Sequence, residues 1–140
     1  MSYLDSLPKG ISLQVFSNDE LIFSSSGKWL NPLFELENLF KNNSISKENL
    51  SSHDSALGKA AAVLTIRLGI KKINTDLLSE NAKKYIDEFN KSIKNPAEKI
   101  QLNYNTLIPK LMCQTENQLE NLFDPEQIYF LLRQRAKLIS

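Results

Sequence analysis

Apolar and polar residues alternate in two short stretches near the start of the chain. Ile11, Leu13 and Val15 lie at every second position, the period of a strand with one buried face. Residues 17–20, Ser-Asn-Asp-Glu, have turn chemistry, and the apolar run 21–23 resumes the strand pattern. This arrangement predicts a β-hairpin.

A helical pattern follows the hairpin. Asn31 suits the N-cap position, and Pro32 suits the first turn, where its missing N–H costs nothing. Leu33, Leu36 and Phe40 then recur at helical spacing, which predicts a helix with one face on a core.

A helix that is apolar on nearly every side is predicted after a polar loop. The loop extends from residue 41 to about His53, and the helix covers residues 54–69, with three consecutive alanines near its middle. Ser52 or Asp54 would cap its start, and Gly69 would end it. An apolar circumference of this kind indicates a helix buried inside its domain.

The next stretches alternate between strand and helix patterns. Residues 71–75 predict a short strand, a third helix begins at Ser79-Glu80, and residues 99–104 predict a fourth strand. The third helix has an apolar stripe made of Ala82, Tyr85, Ile86 and Phe89. The order of elements predicts an α/β protein with a partly parallel sheet.

The end of the chain predicts a further helix. Asp124-Pro125-Glu126 is a helix start, and the helix carries an apolar stripe of Ile128, Leu131, Leu132 and Ile139. That stripe either docks on the domain or pairs with a second copy of the chain. We expect one domain over residues 1–140, with a core at 11–110 and a C-terminal helical extension at 111–140.

Composition and charge limit the kinds of partner and the cellular location that we expect. The 140 residues carry a net charge of +1, so nucleic acid is not an expected partner. Cys113 is the single cysteine, which excludes an intrachain disulfide. The N-terminus lacks signal-peptide features, and no apolar run approaches the roughly 18 residues of a membrane span. We therefore expect a cytoplasmic protein without a membrane partner.

Three segments resemble an uncharacterised prokaryotic domain-of-unknown-function family. They are residues 53–62 (His-Asp-Ser-Ala-Leu-Gly-Lys-Ala-Ala-Ala), residues 74–82 and residues 104–109. The resemblance covers roughly residues 11–109. It implies a cytidine-deaminase-like fold: a three-layer mixed sheet with a buried central helix, here with an extra C-terminal helix. It implies no assigned activity.

The residues argue against the chemistry of zinc deaminases. Those enzymes use an H-x-E pattern at the buried helix and P-C-x-x-C at the next helix. On that template His53-Asp54-Ser55 replaces H-x-E, so serine stands where the proton-shuttling glutamate belongs. Ser79 and Ala82 stand at the thiolate positions, and neither can hold zinc as a thiolate does. We expect no zinc-deaminase activity, no metal site and no cofactor.

A different use of the same region remains open. Helix N-termini favour anions and polar ligands, and two predicted helix starts would converge in a deaminase-like arrangement. The candidate ligand-binding residues are Asp54, Ser55, Gly58, Lys59, Ser79 and Glu80. The structural alternative is that Asp54 and Ser79 are helix caps and that Lys59 pairs with a carboxylate.

Three functions follow as hypotheses. The first is a ligand-binding, non-catalytic domain that takes a small polar or nucleotide-like molecule and forms a homodimer through its last helix. The second is a metal-independent enzyme of unknown reaction, with catalytic residues unassigned. The third is a protein–protein interaction module acting through the C-terminal helix.

Overall fold

A five-stranded sheet runs through the part of the protein that the computed structural model describes, residues 7–28, 30–42, 48–110, 119, 122 and 124–135. The strands are β1 (Leu13–Ser17), β2 (Glu20–Ser25), β3 (Leu50–Leu57), β4 (Lys72–Ser79) and β5 (Gln101–Ile108), in the order β2-β1-β3-β4-β5. Strands β3, β4 and β5 are parallel, and β1 is antiparallel to both of its neighbours. The predicted α/β class with a mixed sheet is confirmed.

Four helices of the described chain accompany the sheet. They are α1 (Asn31–Asn42), α2 (Lys59–Arg67), α3 (Glu80–Lys91) and α4 (Pro125–Arg135), and a short 3₁₀ turn covers Pro96–Glu98. Helix α2 contacts each of the other three helices. Its residues from Lys59 to Thr65 are all buried, so the prediction of a buried helix is confirmed.

The predicted hairpin is confirmed as β1 and β2. Its turn residues Asn18 and Asp19 have φ angles of 49° and 67°. These left-handed conformations match the twist of the two strands, and Asn and Asp tolerate them better than other side chains do. Leu13 and Val15 of β1 are buried, as their alternation predicts.

The helix that the sequence pattern predicted after the hairpin is confirmed as α1. It starts at Asn31 and buries Leu33, Leu36 and Phe40. Phe34, an aromatic residue of the same helix, is buried with them.

The prediction for residues 50–57 was wrong. This segment is strand β3, so His53 does not end a loop, and Ser52 and Asp54 do not cap a helix. The backbone of β3 pairs with β1 on one side and β4 on the other. Those two partners override a local sequence with three serines and one aspartate, which has low strand propensity by itself. Helix α2 starts only at Lys59, after Gly58.

The two later strands are longer than their patterns predicted. Strand β4 extends to Ser79, and β5 extends from Gln101 to Ile108. Helix α3 follows β4 directly, and the Ser79 hydroxyl accepts a hydrogen bond from the Ala82 N–H at 3.0 Å. Ser79 is therefore the N-cap of α3, as the structural alternative predicted.

Helix α4 docks on its own chain. The Asp124 carboxylate accepts from the Glu126 N–H at 3.0 Å and so starts the helix. Ile128 and Leu132 are fully buried, and α4 contacts α2. The sequence left open whether the apolar stripe docks on the domain or pairs with a second copy of the chain. Its described residues Ile128 and Leu132 dock on the domain. Trp29, Cys113 and Ile139 lie outside the described residues.

A buried carboxylate joins three helices. Glu37 of α1 accepts from the Tyr129 hydroxyl at 2.6 Å and from the Arg133 guanidinium at 2.8 Å, both on α4. Arg67 of α2 lies 3.7 Å from the same carboxylate and stacks on the Tyr129 ring at 3.6 Å. The Glu37 cluster, defined by these four residues, therefore ties α4 to the rest of the fold.

Candidate functional site

The starts of α2 and α3 lie at one edge of the sheet. Parallel pairing of β3 and β4 places Leu57 beside Leu78, and each helix begins one or two residues later. Gly58 and Lys59 therefore lie near Ser79 and Glu80. Sequence reasoning expected these four residues to converge.

Most of the polar groups at this edge already serve the fold. The Lys59 ammonium is buried and donates to the carbonyl oxygens of Leu119 and Leu122, at 2.7 and 2.5 Å. Ser79 is fully buried as the cap of α3. Glu80 is exposed. The Lys59 side chain thus points to a downstream segment of its own chain. The sequence pattern could not predict this direction, because nearly every face of the helix is apolar.

Asp54 and Ser55 lie earlier, within β3, and not at a helix start. The half-buried Asp54 carboxylate accepts from the Ala56 N–H at 3.3 Å. Burial raises the pKa of Asp54 to about 7, backbone hydrogen bonds from Ala56 and Ser55 oppose the rise, and the charge of Asp76 adds to it. The carboxyl group therefore changes its charge near neutral pH.

Five polar side chains lie together on one face of the parallel strands. Along β4, Ile73 and Thr75 are buried, so the residues between and after them point to the opposite face. Strand register places the neighbouring strands' residues in the same rows. We call this surface the polar patch; its members are His53, Asn74, Asp76, Asn103 and Asn105.

Hydrogen bonds connect the polar patch. The His53 Nε2 lies 2.9 Å from the Asp76 carboxylate, and the Asn105 amide donates to the same oxygen at 3.3 Å. Asn103 donates to Asn74 at 3.1 Å. The His53 side chain is 15% exposed and that of Asp76 is 33% exposed. The patch is thus ordered by its own contacts and still reachable from solvent.

Sequence reasoning missed this patch and treated His53 as a surface loop residue. The missed signal is a pair of polar positions with period two on adjacent strands, Asn74-x-Asp76 and Asn103-x-Asn105. Such alternation marks the less buried face of a strand. It could be found once residues 72–79 and 101–108 were both recognised as strands.

The placement of the zinc template also changes. The residues at the start of α2 are Gly58 and Lys59, and His53 lies in the preceding strand. No group of three His, Cys, Asp or Glu side chains close enough to hold a metal ion occurs among the described residues. The residues present at the two helix starts do not fit a zinc site, because none of them supplies a thiolate or imidazole.

The raised pKa of Asp54 predicts a pH-dependent stability. Between pH 3.8 and about 7 the folded protein holds a proton that the unfolded chain releases. The contribution of Asp54 to the free energy of unfolding therefore falls as the pH rises through this window. The variant Asp54→Asn keeps an acceptor for the Ala56 N–H and removes the charge.

We expect Asp54→Asn to raise the melting temperature relative to the wild type at about pH 8.5, and to raise it much less at about pH 4. Thermal unfolding followed by circular dichroism measures both differences. Asp19→Asn, in the exposed hairpin turn, is the control. Equal effects of Asp54→Asn at the two pH values would contradict the assignment.

No helix within the described ranges is long and apolar enough to cross a membrane.

Fold and patch together define a mixed α/β protein with a half-buried polar surface on its sheet. Residues 4–135 match the family model of a domain of unknown function (TM1506; DUF1893), and the chain belongs to that family. The crystal structure of a DUF1893 family protein (TM1506) from Thermotoga maritima is similar, with a TM-score of 0.73 and 25% identity. The similarity covers 91% of this chain and 82% of that chain. No curated protein matches.

The predicted membership in a domain-of-unknown-function family is thus confirmed. The cytidine-deaminase-like layering stays a prediction.

Proposed function

We propose that this protein binds a small polar ligand at the polar patch, without zinc chemistry. The observation that carries the proposal is the His53–Asp76 pair, bonded at 2.9 Å and partly open to solvent. His53 and Asn105 both bond the same oxygen of Asp76, Oδ1, and the side chain is 33% exposed. A ligand would reach the second carboxylate oxygen from the solvent side.

The chemistry of the patch indicates what kind of ligand it takes. Amides of Asn74, Asn103 and Asn105 offer both donors and acceptors, and Asp76 offers acceptors only. A nucleoside-like molecule, with ring nitrogens, exocyclic groups and hydroxyls, matches such a mixed set.

The proposal modifies the site that the sequence predicted. Ser55 stays in it, because alternation along β3 puts it on the same face as His53. Asp54 does not, because it shares a row with the buried residues Leu13 and Thr75 and so points to the other face of the sheet. Gly58, Lys59 and Ser79 are buried and would act by supporting the edge of the sheet, while exposed Glu80 remains available at the rim.

We also propose that the scaffold is cytidine-deaminase-like. In support, the chain runs hairpin, helix, strand, buried helix, strand, helix, strand, with parallel β3, β4 and β5. The buried α2 occupies the position that the resemblance implies for the central helix. Fold similarity by itself carries no activity.

One arrangement favours a second candidate, a metal-independent enzyme. A neutral His53 that donates from Nε2 to the Asp76 carboxylate carries its lone pair on Nδ1. This orientation suits a general base. On this hypothesis Asp76 is a positioning residue.

The interaction-module hypothesis has less support. Ile128 and Leu132 would have to contact a partner, and both are fully buried within this chain. Phe130, which is 56% exposed, is the large apolar residue that α4 still offers. Homodimer formation stays a prediction.

A thermal-shift screen against unphosphorylated nucleosides tests the proposal, with zinc as a separate addition. Ligand that binds only the folded state raises the melting temperature by mass action. We expect a saturable rise with at least one nucleoside and none with zinc alone. The rise should disappear in Asp76→Asn and in His53→Gln, and persist in the surface control Lys84→Gln.

The absence of any nucleoside-induced shift would contradict the proposal, and so would a shift that survives in both patch variants. Incubation of the stabilising nucleoside with the protein, followed by chromatography, then separates the two candidates. An unchanged nucleoside favours pure binding. A product whose formation is lost in His53→Gln favours the enzyme.

A further inference from the structure

A polar cleft lies where the parallel strands β3, β4 and β5 begin, at the end of the sheet opposite the starts of α2 and α3. It has a volume of about 550 Å³. Register places Ser51, Lys72 and Gln101 side by side where β3, β4 and β5 begin. The loop after α2 and the 3₁₀ turn before β5 complete it and contribute Lys71 and Lys99. The cleft is within the size range of small-molecule sites, roughly 300–1,000 Å³.

The charges of the cleft favour an anion. Three lysines line it, against one acidic residue, Asp19, although the whole chain has a net charge of only +1. Lys71 is held by Glu98 at 2.6 Å. Lys72 and Lys99 have no ion pair with any described residue. With Glu98 and Asp19 counted against the three lysines, the cleft keeps one net positive charge, and its concave surface focuses that potential on the interior.

Both rims of the cleft are held by hydrogen bonds. On one rim the Asn49 amide donates to the Asn18 side chain at 2.5 Å, and the Asn18 N–H donates to the Glu48 carbonyl at 3.2 Å. On the other, the Gln101 N–H donates to the Lys71 carbonyl at 2.8 Å. The cleft is therefore formed before any ligand arrives, which lowers the entropic cost of binding.

The C-terminal end of α2 lies close to the cleft. The helix ends at Arg67, Gly69 lines the cleft two residues later, and helix C-termini carry a partial negative charge. The Ile66 carbonyl accepts from the Gly69 N–H, and the Leu64 carbonyl accepts from the Leu68 N–H. These capping bonds satisfy two carbonyls at the end of α2 and so reduce its negative potential at the cleft.

We propose that this cleft, lined by Lys71, Lys72 and Lys99, binds a small molecule that carries two or more phosphoryl groups. The volume exceeds what one phosphate fills, and the lining is mostly polar, so an apolar ligand does not suit it. Lys72 starts β4 and Lys99 follows the 3₁₀ turn before β5, so their ammonium groups would contact separate phosphoryl groups. This site is distinct from the polar patch and does not depend on it.

Titration of the full chain with inorganic diphosphate at low ionic strength, followed by calorimetry, tests the proposal. We expect saturable binding, weakened roughly tenfold or more in the double variant K72Q/K99Q, since two charge-assisted contacts are lost. The double variant K83Q/K91Q removes the same charge from the exposed face of α3 and should bind as the wild type does.

Three results would overturn the proposal: no saturable binding of diphosphate, equal weakening in both double variants, or binding of a single-stranded oligonucleotide in the absence of diphosphate binding. Because the diphosphate probe has no nucleoside and the nucleoside probe has no phosphate, failure at one site is read independently of the other.

Discussion

Replacing Glu37 with alanine is expected to lower the free energy of unfolding by about 3 kcal/mol, because it leaves buried polar groups without their partner. The Glu37 carboxylate receives hydrogen bonds from Tyr129 and Arg133 and lies 3.7 Å from Arg67. Without it, the two arginines repel each other at the junction of three helices. Chemical denaturation of the wild type and the variant measures the difference.

Two further variants show whether the effect comes from this contact. Tyr129→Phe removes only the hydroxyl, and we expect it to cost about 1 kcal/mol. Combined with Glu37→Ala it should add little, since the shared hydrogen bond is already lost. Glu88→Ala, on the exposed face of α3, is the control and should leave stability nearly unchanged. If the losses in the free energy of unfolding of Glu37→Ala and Tyr129→Phe add fully in the double variant, the two side chains do not stabilise each other as the Glu37 cluster requires.

Lys59→Ala is expected to destabilise the protein by a similar amount, about 3 kcal/mol. The buried ammonium bonds the carbonyl oxygens of Leu119 and Leu122, and its loss leaves those oxygens without the donor and a cavity beside α2. The side chain thereby attaches a downstream segment to the start of the buried helix. Denaturation midpoints, with the exposed-site variant Lys84→Ala as the control, report the change.

Lys59→Met distinguishes packing from hydrogen bonding. Methionine keeps most of the volume of the lysine stem and cannot donate. If the hydrogen bonds to Leu119 and Leu122 matter, Lys59→Met will remain clearly less stable than the wild type. A methionine variant as stable as the wild type would show that volume alone explains the alanine result and would contradict this role of the ammonium.

Local patterns were enough for the elements whose hydrogen bonds and apolar faces are local. The hairpin, α1, the apolar core of α2, the Ser79 cap and the Asp124 start of α4 all follow from capping chemistry and periodicity. Each of these signals acts within a few residues of itself. The same patterns are enough to predict a mixed α/β class.

Strand β3 is the element that local sequence patterns did not predict. Its residues, Leu-Ser-Ser-His-Asp-Ser-Ala-Leu, have neither strict alternation nor strong strand propensity. They form a strand because β1 and β4 hold it from both sides. Because of this error, the sequence prediction placed His53, Asp54 and Ser55 at a helix start instead of in a strand. The predicted ligand site was misplaced with them.

The sequence by itself determined the class of the fold, the buried position of the alanine-rich helix and the lack of the two cysteines that zinc deaminases use, since Cys113 is the single cysteine. These depend on residue type and short-range spacing. Tertiary structure alone decided that His53 meets Asp76, that Lys59 bonds residues 60 and 63 positions later, and that three lysines line one cleft. Such contacts depend on strand register and helix docking, which join distant segments and leave no local pattern in the chain.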